Sequence, residues 1–145
     1  MGFDLREHTA DVAIEAEGGT LGETFAAVGD GLAAAQCDSI PEGGERFEVE
    51  VRAEGKEALL FDFLDRLIYE RDVRGVLPVD HGATVERATV EEGDYSADGA
   101  WTVRASARGV PLEELRAREV KAVTYSEMQL EERTEGWYAY VVLDV

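Results

Sequence analysis

Apolar and polar residues alternate along this chain at two different periods, and the switches between them mark out most of its elements. Val12, Ile14 and Ala16 alternate with polar neighbours, the pattern of a half-buried strand over residues 12–17. Gly18-Gly19 closes it. Thr20-Leu21-Gly22-Glu23 then has the form of a capping box, in which the Thr hydroxyl and the Glu carboxylate satisfy free N–H groups at a helix start. Phe25, Val28, Leu32 and Ala35 follow at helical spacing, which predicts a first helix over residues 21–36. Residues 39–45, with Pro41 and Gly43-Gly44, read as a loop.

Phe47, Val49, Val51 and Ala53 resume the alternation as a second strand, and Gly55 breaks it. Leu59, Leu60, Phe63, Leu64, Leu67 and Ile68 then form a wide apolar stripe on a second helix, residues 56–71, with acids and Arg66 on the other face. Beyond this point the chain has β character over 76–80, 83–92, 100–108, 121–131 and 136–144. Gly82, Gly93, Asp98-Gly99, Pro111 and Gly136 punctuate these runs. Pro111, followed by Leu112 to Leu115, is placed to begin a short helical turn. Parallel α/β layering needs helices between the late strands, and the pattern supplies none. The expected class is α+β, with two helices covering one face of a largely antiparallel sheet, as one domain over residues 1–145.

Charge narrows the function. The chain has 14 Lys and Arg against 32 Asp and Glu, a net charge of −18. Direct nucleic-acid binding is not expected, because phosphate contacts need a basic face. An anionic membrane surface is disfavoured for the same reason. Only Lys56 and Lys121 are lysines, and the acids are spread along the whole chain. Acid-rich, lysine-poor composition is expected of a halophilic cytosolic protein, where strong salt screens self-repulsion. The single cysteine, Cys37, provides no disulfide framework and reads as a small buried apolar residue. No signal segment and no apolar run of membrane-spanning length is present, so a cytoplasmic protein is expected.

Candidate chemistry is sparse. Gly29-Asp30-Gly31-Leu32-Ala33-Ala34 matches a dinucleotide-binding pattern on paper, but it lies inside the first helix rather than at a strand-to-helix turn; tight helix packing is the better account of its glycines. His8 and His81 are the only histidines, too few and too distant for a zinc site with Cys37. No nucleophile signature or phosphate-cradling loop is present. What remains is a set of carboxylates at strand ends. Glu7, His8 and Asp11 crowd the start of the first predicted strand, Asp144 ends the last, and Val145 follows with its own carboxylate. Such oxygen donors suit hard cations, though 32 acids will also scatter solvated carboxylates everywhere. Asp11 and Asp144 acting as general acid and base of a small hydrolase is a competing reading that lacks a visible electrophile stabiliser. Lys121, at a strand start among apolar residues, is either a snorkelling edge lysine or a cation that orders nearby anions.

Three stretches taken together resemble the archease family: His8-Thr9-Ala10-Asp11-Val12, Lys121-Ala122-Val123-Thr124-Tyr125 and Val142-Leu143-Asp144-Val145. Lys56 to Leu64 resembles the family's second helix and its entry, so the likeness spans essentially the whole chain. The resemblance implies an α+β fold, a strand-helix-strand-strand core with an inserted segment. It implies an accessory protein rather than an enzyme. Its partner would be an RtcB-type tRNA-splicing RNA ligase, whose guanylylation and multiple turnover it promotes. Chaperone-like modulation of a tRNA cytosine methyltransferase is the alternative. It also implies a divalent cation, calcium, held by Asp11, Asp144 and Val145, with His8 fixing the loop and Lys121 in support. One position departs from the family pattern: Ser126 stands where a His usually follows the K-A-V-T-Y run.

Overall fold

The computed structural model describes residues 2–8, 11–87 and 100–145. In chain order the elements are β1 (Gly2–His8), β2 (Asp11–Gly18), α1 (Leu21–Gln36), β3 (Glu45–Ala53), α2 (Lys56–Arg74), β4 (Val76–Arg87), β5 (Trp101–Pro111), a 3-10 turn (Leu112–Glu114), β6 (Ala122–Arg133) and β7 (Gly136–Asp144). The class is α+β, as expected. Strand β1 is an addition to the predicted set. The runs at 76–80 and 83–92 are one strand, bent by a register shift between Val79 and Gly82. Residues 88–92 of that prediction, Gly93 and Asp98-Gly99 lie outside the described residues.

All strand pairs are antiparallel, but the strands form two sheets rather than one, ordered β1-β2-β7-β6 and β3-β5-β4. Both helices lie between them: α1 packs on β1, β2 and β7 from one sheet and on β4 from the other, while α2 bridges β6 to β3, β4 and β5. The physical reason is in α1. Its buried positions run nearly all the way round, including Leu21, Gly22, Thr24, Phe25, Val28, Gly29, Gly31, Leu32, Ala33 and Ala35. A helix apolar on every side needs cover on every side. Its glycines show how tight that cover is. A Cβ on Gly29 would come within 2.9 Å of the His81 ring on β4, and one on Gly31 within 2.7 Å of Ile14 on β2. Close packing, not nucleotide binding, accounts for these residues.

The helix ends follow their local chemistry. Glu23 N–H donates to Thr20 Oγ1 at 3.1 Å and Thr20 N–H to Glu23 Oε2 at 3.3 Å, which completes the capping box; Gly19 N–H adds a bond to the same Oε2 at 2.9 Å. Helix α2 runs to Arg74 and stops at Gly75, whose φ of 67° is the left-handed geometry that glycine adopts without strain. The main core joins Ile14, Phe25, Val28, Phe63, Leu64, Leu67, Val103, Val141 and Leu143. Phe25 and Phe63 meet at 5.8 Å between ring centroids and are fully buried. Each such side chain contributes about 1.5–3 kcal/mol on leaving water. Cys37 is buried, with its thiol on the Ser39 carbonyl at 3.2 Å. Among the described residues, no helix is long and apolar enough to cross a membrane.

Candidate functional site

The face of the four-stranded sheet turned away from the helices carries the carboxylates that the sequence singles out. Along β2 the even-numbered side chains, Val12, Ile14 and Ala16, enter the core, so Asp11, Ala13, Glu15 and Glu17 belong to the opposite face. On β7 the core residues are Ala139, Val141 and Leu143, which leaves Tyr138, Tyr140, Val142 and Asp144 on that opposite face. Pairing then aligns the rows. Asp11 stands directly across from Asp144, Asp144 across from Ala122, and His8 across from Asp11.

Directly opposed residues of an antiparallel pair hold their Cβ atoms about 4.5–5.5 Å apart. The two aspartates therefore present their carboxylates side by side at one end of the sheet, Asp11 half-buried and Asp144 exposed. Neither forms an ion pair among the described residues. Val145 follows Asp144 and is half-buried. Lys121 reaches the row through its backbone: its N–H donates to the Asp144 carbonyl at 2.8 Å. Its exposed ammonium makes no ion pair among the described residues. His8 joins the row by register alone, and Thr9 and Ala10 of the same motif lie outside the described residues. No cluster of three or more His, Cys, Asp or Glu side chains suited to a metal ion forms among the described residues. The arrangement is a pair of hard oxygen donors aligned in register at one end of the sheet.

The second histidine is elsewhere. His81 is buried at the β4 bend, where Asp80 takes φ 53°. Its backbone N–H and its Nδ1 both meet Asp30 Oδ1, at 3.0 and 2.8 Å, while Nε2 has no partner among the described residues. Asp30 of the rejected glycine motif is thus a tether between α1 and β4. A second feature was not foreseen. Tyr125 of β6 stacks on Phe61 of α2 with ring centroids 4.1 Å apart and planes 7° apart, yet remains 55% exposed. Partial burial and the nearby Asp62 carboxylate hold its phenol above the ordinary range. The signal was present in the pattern, since Phe61 is a large aromatic off the apolar stripe of α2.

Comparison with known proteins agrees with the three motifs. The Archease protein family (MTH1598/TM1083) matches residues 3–145. The chain is similar to the protein archease of Pyrococcus furiosus, 34% identical over 96% of this chain and 95% of that one. It is 34% identical to that of Methanosarcina acetivorans, over 99% and 95% of the two chains. The solution structure of Methanobacterium thermoautotrophicum protein 1598 superposes with a TM-score of 0.76, 28% identity and 99% of each chain covered. The crystal structure described as an archease, possible chaperone, from Thermotoga maritima gives a TM-score of 0.60 over 97% of this chain and 94% of that one; at 21% identity it shows the fold alone.

Proposed function

Because this chain belongs to the archease family, we propose that it is an accessory protein to an RtcB-type tRNA-splicing RNA ligase and that Asp11, Asp144 and Val145 hold a divalent cation of the calcium class in that role. The observation that carries the reading is the register match of Asp11 with Asp144. Two carboxylates held side by side repel unless a cation or proton lies between them. Oxygen-only donors at a sheet end fit a hard divalent ion with water in its remaining positions. A bound ion would supply positive charge and vacant coordination positions at the edge offered to a partner.

The chain's own residues have separate parts in this. Asp11 and Asp144 set the spacing, because each is fixed by a strand whose neighbours are core residues. The Lys121 N–H bond to the Asp144 carbonyl holds β6 against the end of β7. The Lys121 ammonium is free to meet an anionic group on the partner. The large negative charge argues that the protein acts on the ligase rather than on its RNA.

Calorimetry in high salt with Ca²⁺, then Mg²⁺ or Mn²⁺, tests the site on the native chain and on Asp144→Ala. Saturable binding that the substitution removes is the expected result; a folded native chain that takes up none of the three ions overturns the metal reading. Guanylylation of the ligase with native protein and with Asp11→Ala tests the role. Stimulation by the native chain and loss of it in the variant is expected. No stimulation by the native chain would turn attention to a tRNA cytosine methyltransferase as the partner.

A further inference from the structure

We propose that the exposed Tyr125 ring, stacked on Phe61 with the Asp62 carboxylate beside it, is a docking site for an arginine side chain presented by a partner protein. The stack lies where α2 crosses β6, on the helix side of the sheet and so on the other side from the Asp11–Asp144 pair. It does not depend on the cation reading.

Three observations meet here. The first is exposure: Tyr125 remains 55% accessible although its ring is fixed against Phe61. Contiguous exposed apolar surface marks contact sites, whereas single exposed apolar residues are ordinary. The second is backbone geometry. Strand β6 leaves its register with β7 between Thr124 and Gln129, and Glu127 inside that break takes φ 59°. A non-glycine residue there is held in a conformation of higher energy. The break is what turns Tyr125 out of the ladder and onto Phe61, while Ser126 N–H is satisfied locally by Thr124 Oγ1 at 3.2 Å. The third is charge. Asp62 and Asp65 are exposed and form no ion pair among the described residues, and Asp62 lies close enough to Tyr125 to raise its phenol pKa.

A pre-stacked aromatic plane beside a free carboxylate matches a guanidinium. The planar cation lies on the ring face and its N–H fork reaches the carboxylate. An ammonium would satisfy the charge but not the stacking geometry. Arg66 is engaged by Glu70 at 2.9 Å and lies over the Tyr69 ring, and Arg52, in the same groove as Asp62, pairs with no carboxylate among the described residues. A nucleobase would also stack on Tyr125, but its phosphate would meet Asp62, Asp65 and a chain of net charge −18.

The test is an NMR titration of the full chain in molar potassium chloride, which screens diffuse attraction. The probes are hexa-arginine, hexa-lysine and oligouridylate. Hexa-arginine is expected to shift Phe61, Asp62, Tyr125 and Ser126 first, and to bind about three- to ten-fold more tightly than hexa-lysine. Asp62→Asn and Tyr125→Leu should each weaken hexa-arginine about three- to five-fold. Glu17→Gln, which removes one charge from the open sheet face, should leave it unchanged. Equal binding of the two cationic peptides, shifts centred on the open face, or oligouridylate binding at Tyr125 would each overturn the proposal. Asp62→Asn alters an exposed helix position, so its fold is expected to survive where Tyr125→Leu disturbs β6.

Discussion

Glu70 and the Asp11–Asp144 pair are two answers to the same problem of confining negative charge. Glu70 is 5% exposed on α2, and the chain supplies its counter-charges: Arg66 Nε reaches Oε1 at 2.9 Å and Arg74 Nε reaches Oε2 at 2.6 Å. Burial alone would push this carboxyl up, but the hydrogen bonds and charges of Arg74 and Arg66 outweigh it and hold its pKa below the ordinary value of 4.5. Arg74 also lies over the Phe47 ring at 4.4 Å, which ties the cluster to β3. Asp11 and Asp144 are equally well positioned, yet no cation of the described chain is paired with them. A carboxylate neutralised from within is part of the fold; the Asp11–Asp144 pair, with no such partner among the described residues, is where we propose that an external cation binds. One carboxylate is closed by arginines one helical turn away, and the other two stand paired in register at a sheet end.

The comparison breaks most sharply on ion binding. Asp144→Ala should lower divalent-cation affinity by at least about 100-fold while Glu70→Gln leaves it unchanged, as read by calorimetry. Equal losses in both variants would mean that binding reports general stability. Stability should show the reverse order. Glu70→Gln should destabilise the fold by about 1–2 kcal/mol in denaturant titration, since it leaves two arginines short of a partner whose place is buried. These arginines are 40% and 45% exposed, and water recovers part of their solvation.

Acid sharpens the same contrast. The folded-state pKa of Glu70 is depressed, so the unfolded chain binds the proton first. Its contribution is fully present above the ordinary value and is lost as pH falls through the lower folded value. The stability gap between native chain and Glu70→Gln should therefore shrink below about pH 4.5 in acid-unfolding curves. A gap that stays constant through that range would remove the carboxylate from the account. The smallest effect belongs to the ion-free aspartate pair. Asp144→Asn, measured with chelator, should raise stability by a few tenths of a kcal/mol, because like charges directly opposed on neighbouring strands destabilise, and added salt should reduce the gain.

Much of this molecule was legible locally. The capping box at Thr20, the stripe from Leu59 to Ile68 and the alternation of β2, β3 and β7 all predict elements whose bounds agree closely with those observed. The packing role of Gly29 and Gly31 was legible too, because their motif stands in the wrong structural context for a nucleotide. Strand β1 was missed because Phe3 and Leu5 alternate over too short a stretch beside the charged Arg6-Glu7-His8. The break in β6 was invisible because no glycine or proline marks it; Glu127 takes the left-handed turn itself. Asp11 and Asp144 stood out as strand-end acids among many others, and only the family motifs set them apart.

The sequence by itself determined where helices and strands lie, since those depend on capping, spacing and breakers within a few residues. It also determined the character of the surface, which a net charge of −18 makes hostile to nucleic acid. Tertiary structure alone decided that the strands divide between two sheets with the helices between them, that Asp11 faces Asp144 and that Tyr125 rests on Phe61. Each of these joins segments far apart in the chain. Their meeting depends on how every intervening element buries its apolar face, and no local window of the sequence contains that information.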